Sequence, residues 1–107
     1  MAEIKISSIA DGPQDGQAQT VSFYHPVTEY PYNIALFHIK GKYYALPDEC
    51  KRCNGSLGKG TLHGMFILCP QDETPWNIKT GLCRYDRTQA MPSYRVKVQD
   101  EDLIITL

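Results

Sequence analysis

Apolar residues in this chain never hold a 3.6-residue period for longer than about one turn, which removes helices as its main building material. What repeats instead is a short alternating or apolar run closed by turn residues, the pattern of an antiparallel sandwich or barrel. Glu3–Ile9 alternates and ends at Asp11-Gly12-Pro13, and Ala18–Tyr24 runs up to His25-Pro26. Thr28–Asn33, with Tyr30, Pro31 and Tyr32, reads as an irregular loop. Ile34–Ile39 and Tyr43–Leu46 flank Lys40-Gly41-Lys42, a short hairpin with glycine in the turn. Met65–Leu68 is long enough only for a strand. Tyr94–Val98 and Leu103–Leu107 flank Gln99–Asp102, a closing hairpin.

Between the hairpins, from about Pro47 to Met91, lie five of the glycines (Gly55, Gly58, Gly60, Gly64, Gly81) and all four cysteines. The expected organisation is therefore one all-β domain over residues 1–107, with a loop subdomain at about 47–91 inserted between paired strands. Loops carried on a rigid β scaffold are where chemistry usually sits. Eleven Lys and Arg against twelve Asp and Glu leave a formal charge of −1. That balance argues against nucleic acid or an anionic membrane surface as partner. No apolar run approaches the roughly 20 residues of a membrane-spanning helix, and Met1-Ala2-Glu3-Ile4-Lys5 lacks the apolar core of a secretion signal. A cytoplasmic location is the default, and there four cysteines read as metal ligands or thiols sooner than as disulfides.

The cysteines are patterned. Cys50-Lys51-Arg52-Cys53-Asn54-Gly55 is a CxxC followed by Asn-Gly, and fifteen residues separate Cys53 from Cys69, which opens Cys69-Pro70-Gln71-Asp72. Cys83 stands alone after Thr80-Gly81-Leu82. Two tight turns presenting sulfur, with Gly or Pro close by, have the character of the knuckles of small metal sites.

These residues carry a resemblance. Cys50, Leu57 and Gly60, then Cys69-Pro70, Trp76 and Thr80-Gly81, and the closing Met91-Pro92-Ser93-Tyr94-Arg95-Val96-Lys97-Val98, are similar in order and spacing to the Rieske domains of free ferredoxins and nitrite reductase small subunits. Cys83 is similar to the nitrite reductase type in particular. The resemblance implies a Rieske-like antiparallel sandwich or barrel, cofactor binding through Cys50 and Cys69, and an accessory electron-transfer role beside a protein redox partner. That partner would be a reductase, an oxygenase or a nitrite reductase-like large subunit. In register, Arg52 and Asp72 occupy the two positions where the family places its histidine ligands. His25, His38 and His63 fall elsewhere, and protonated arginine offers no lone pair.

Three readings of the site stay open. In one, sulfur rebuilds it: Cys50, Cys53 and Cys69 with Asp72 or Cys83 hold a [2Fe–2S] cluster of atypical ligation, or zinc. In another, no metal is bound; Arg52 pairs with Asp72 across the loops, Cys50 and Cys69 come close enough for a disulfide, and the chain serves as a partner-binding module. In the third, Cys50 and Cys53 form a thiol–disulfide pair. Plainer roles stand beside these: Cys83 as a small buried strand residue, Trp76 as packing under the second loop, and Asp72 as a cap on its own loop. No nucleophile–base pair stands out to suggest catalysis by the chain alone.

Overall fold

The computed structural model describes residues 3–50, 54–86 and 88–106. They form nine strands and one short 3-10 turn, in the order β1 (Glu3–Ser8), β2 (Gln17–Tyr24), β3 (Pro31–Ile39), β4 (Lys42–Pro47), the 3-10 turn Leu57–Lys59, β5 (Thr61–His63), β6 (Phe66–Leu68), β7 (Pro75–Asn77), β8 (Arg95–Gln99) and β9 (Asp102–Thr106). No α-helix occurs among the described residues. The strands pair into three antiparallel sheets, ordered β1-β9-β8, β2-β3-β4 and β5-β6-β7.

The middle sheet is the hinge of the architecture because β3 is buried on both faces. Side chains alternate across a strand, so Ile34 and Leu36 leave one face while Ala35 and Phe37 leave the other. Ile34 and Leu36 join Ile4, Ala45, Leu103 and Ile105 in a core shared with the β1-β9-β8 sheet. Ala35 and Phe37 join Leu46, Cys50, Leu57, Ile67, Cys69, Trp76, Ile78, Cys83 and Met91 in a second core under the loops. This explains why Ile34-Ala35-Leu36-Phe37 is a continuous apolar run rather than an alternating one: all four residues are fully buried. Each large side chain there contributes roughly 1.5–3 kcal/mol by leaving water.

Turn chemistry sets the register. Lys40 and Gly41, both at positive φ, join Ile39 to Lys42, and the Asp15 carboxylate accepts both of their amide hydrogens. Asp100 and Glu101 (φ 52° and 68°) make the same kind of two-residue link between Gln99 and Asp102 without glycine. The Thr28–Asn33 expectation needs correcting at its end. Pro31, Tyr32 and Asn33 are extended and pair with Tyr24, Phe23 and Ser22, leaving only 25–30 as the hairpin tip. Proline is tolerated there because it is the first residue of the strand. The tip folds on His25, whose Nδ1 accepts the amide hydrogens of Val27 and Thr28. In the third sheet the sequence pattern marks only β6, whose Phe66-Ile67-Leu68 is apolar throughout, while β5 and β7, equally short, lack such a run.

Candidate metal centre

Two loops with one backbone design carry the cysteines. In the first, the Cys50 amide donates to the Gly55 carbonyl (2.8 Å) and the Asn54 amide returns to the Cys50 carbonyl (2.8 Å). In the second, the Cys69 amide donates to the Thr74 carbonyl (3.1 Å) and the Glu73 amide returns to the Cys69 carbonyl (2.9 Å). Each loop turns through a residue in the left-handed region four places after its cysteine, Asn54 at φ 64° and Glu73 at φ 58°. Asparagine enters that region readily, whereas glutamate pays roughly 1–2 kcal/mol.

Different supports hold the two loops. The second is the tip of the β6–β7 hairpin, closed by the Leu68–Pro75 pair. The first is clamped by Asp48, two residues ahead of Cys50. Its buried carboxylate accepts hydrogen bonds from the Thr20 hydroxyl (3.0 Å), the Ser56 hydroxyl (2.7 Å) and the Gly58 amide (2.8 Å). Asp48 thereby ties β2 to both sides of the loop. A Cβ at position 58 would collide with Thr20 and Asp48, so glycine is required for this close approach.

The two loops bring Cys50, Cys69 and Asp72 together. One ligand atom from each lies within 4.8 Å of the other two, with both sulfurs buried and Asp72 exposed. Around one ion, two sulfurs at about 2.3 Å in a tetrahedron are about 3.8 Å apart, so small side-chain movements would close the group on a metal. Asp72 also accepts the Thr74 amide at 2.9 Å, so it caps its own loop while facing the sulfurs. From β7, the indole N–H of Trp76 donates to Cys50 Sγ at 3.3 Å. Cys50 and Cys69 are not joined to each other by a disulfide.

Cys83 is buried in a bridge to Trp76, its amide bonded to the Gln89 carbonyl, and it is not part of the group. Arg52 and Cys53 lie outside the described residues, and with them the Arg52–Asp72 pair and the Cys50–Cys53 pair. No histidine belongs to the group. His25 shapes the hairpin tip, His38 stacks on Tyr43 in the middle sheet, and His63 is exposed at the end of β5. The described residues therefore fit the sulfur half of a Rieske centre and offer a carboxylate, not imidazole, beside it. Reading the sequence alone missed the Asp48 clamp and the Trp76 donor. Asp48, directly after Pro47 and two residues before Cys50, was the available signal for the first. Nothing local marked the second, which joins residues 26 positions apart.

The fold and the paired sulfur loops define a Rieske-type ferredoxin architecture. No family model matches the chain. It is 31% identical, over 100% of its length and 96% of the relative's, to the 3-phenylpropionate/cinnamic acid dioxygenase ferredoxin subunit of Photorhabdus laumondii. The chain belongs to the family of Rieske-type ferredoxins that includes these dioxygenase subunits. Among solved structures it is similar to a chain in the complex of reduced oxygenase and oxidised ferredoxin of carbazole 1,9a-dioxygenase, with TM-score 0.77, 25% identity, and coverage of 96% of this chain and 91% of that one. The Sphingomonas yanoikuyae B1 ferredoxin shares the fold at TM-score 0.81, with 20% identity and 99% coverage of both chains. No helix among the described residues is long and apolar enough to cross a membrane.

Proposed function

We propose that this chain is an accessory electron-transfer subunit whose tip, formed by the Cys50 and Cys69 loops, binds an iron–sulfur group and meets a protein redox partner. The observation that carries the reading is the convergence of Cys50, Cys69 and Asp72 within 4.8 Å at the ends of two matched loops. Membership of a ferredoxin-subunit family supports the role, a similar chain solved with its oxygenase supports a protein partner of the oxygenase kind, and a chain of the same fold described as a nitrite reductase small subunit supports the nitrite reductase kind as the other choice. When bound, an iron–sulfur group supplies one-electron chemistry. The chain's own residues supply two buried cysteine sulfurs, a carboxylate and a tip that exposes Pro70, Gln71, Asp72 and Glu73. Cys53 is proposed as a further ligand on spacing alone: it follows Cys50 by the same three positions by which Asp72 follows Cys69, one place beyond the family's ligand position at Arg52. Residues 1–107 act as one domain in a cytoplasmic electron-transfer chain. The test is the visible spectrum of anaerobically purified protein. Sulfur-to-iron absorption that bleaches with dithionite and returns in air is the expected result; a colourless protein removes the electron-transfer role.

A second reading has its own support. A group of two sulfurs and one carboxylate, without imidazole, also suits zinc, a redox-inert ion. The subunit would then keep the fold for partner binding with a structural metal, or with none.

A further inference from the structure

We propose that Trp76 is a positioning residue for the metal-bound sulfur of Cys50, aiming it at Cys69 and Asp72 and drawing charge from it; this rests on the reading of that group as a metal site. Trp76 is the single tryptophan of the chain and is fully buried. Its backbone is fixed on both sides, by Ile67 across β6 and by the bridge to Cys83. Filling this volume needs only an aromatic ring. The indole adds a donor-only N–H, which must find an acceptor once buried, and that acceptor is Cys50 Sγ at 3.3 Å. A neutral thiol accepts weakly, whereas a sulfur carrying negative charge makes the stronger, charge-assisted bond. The donor would therefore hold Cys50 more strongly as a metal-bound thiolate than as a packing thiol.

The consequences are directional. A hydrogen bond to a ligand sulfur lowers its electron donation to the metal, and hydrogen bonds to sulfur are among the determinants of iron–sulfur potential. Removing this one shifts the potential of a bound iron–sulfur group to more negative values, because the donor stabilises the more negative, reduced form. On a spectroscopic metal it moves sulfur-to-metal charge transfer to longer wavelength.

Cobalt(II), added anaerobically to the metal-free full-length chain, serves as the probe. The wild-type protein is expected to show a thiolate-to-cobalt charge-transfer band. Trp76→Phe keeps an aromatic ring in the core and loses the pyrrole part of the indole with its N–H; with its far-ultraviolet circular dichroism unchanged, its band is expected at longer wavelength and its cobalt affinity roughly ten- to a hundredfold weaker. A folded Trp76→Phe protein with the wild-type band and affinity overturns the proposal. Absence of a thiolate band in the wild-type protein fails the metal reading itself, and this proposal with it. Should Trp76→Phe not fold, the wild-type chain still decides through its one indole N–H resonance. Cobalt's diamagnetic substitute, cadmium, is expected to shift that resonance, and a resonance unmoved by bound cadmium overturns the proposal.

Discussion

At the scale of single residues, Asp48 and Asp72 show two uses of a carboxylate a few positions from a cysteine. Asp48 is buried and accepts hydrogen bonds from three donors. Asp48→Ala is expected to cost about 3 kcal/mol in urea unfolding, the sum of lost bonds and unsatisfied polar groups, while Asp48→Asn, which keeps an acceptor, costs less. Asp72 separates loop capping from metal binding. Asp72→Asn retains an oxygen for the Thr74 amide but loses the anionic ligand, so the metal-free protein should melt as the wild type does while metal retention against a chelator falls about tenfold or more. Cys83→Ala, in contrast, should leave metal content unchanged and cost about 1 kcal/mol in stability, because the residue is buried in the core beside its bridge to Trp76 and outside the group. Much of this is legible in the sequence. Cys50, Cys69 and Asp72 stood out through spacing and resemblance, and Cys83 already had a plainer reading as a core residue. The Trp76 N–H did not, because a hydrogen bond between residues distant in sequence leaves no local pattern to read.

At the scale of elements, strands that show a period or a continuous apolar run, such as the short β6, are legible in the sequence, and short strands with neither are not. Ile34–Ile39 and Tyr43–Leu46 lie within β3 and β4, whereas β5 and β7, at three residues, are held by pairing with β6 and by the core beneath. Glycine, proline and the Asn54-Gly55 pair mark the Cys50 and Cys69 turns, but left-handed Glu73 is not legible, because glutamate is not a residue that favours that region. The start of β8 carries a pH dependence. Tyr94, whose amide bonds the Ala45 carbonyl, has its phenol pushed above the ordinary 10.0, first by burial and then by Tyr32. The fold thus favours the neutral phenol. Its contribution is intact below the unfolded-state value and is lost as pH rises through the higher folded-state value. Urea midpoints followed from about pH 8 to about pH 11 should decline in the wild type and decline less in Tyr94→Phe.

At the scale of the whole molecule, β3 divides the labour. Through Ile34 and Leu36 it closes a sandwich with the terminal strands; through Ala35 and Phe37 it carries the loops that bring two sulfurs and a carboxylate together. Phe37→Ala should therefore cost about 3–5 kcal/mol and loosen the metal loops without touching a ligand. The ferredoxin reading stands or falls on what those loops hold. Iron, zinc and acid-labile sulfide should be determined per chain after anaerobic purification, for the wild-type protein beside Cys69→Ser. Iron and sulfide in equal amounts in the wild type, both lost in Cys69→Ser, is the expected result. Zinc without sulfide would contradict electron transfer while leaving a metal site, and protein free of all three would contradict the metal centre itself.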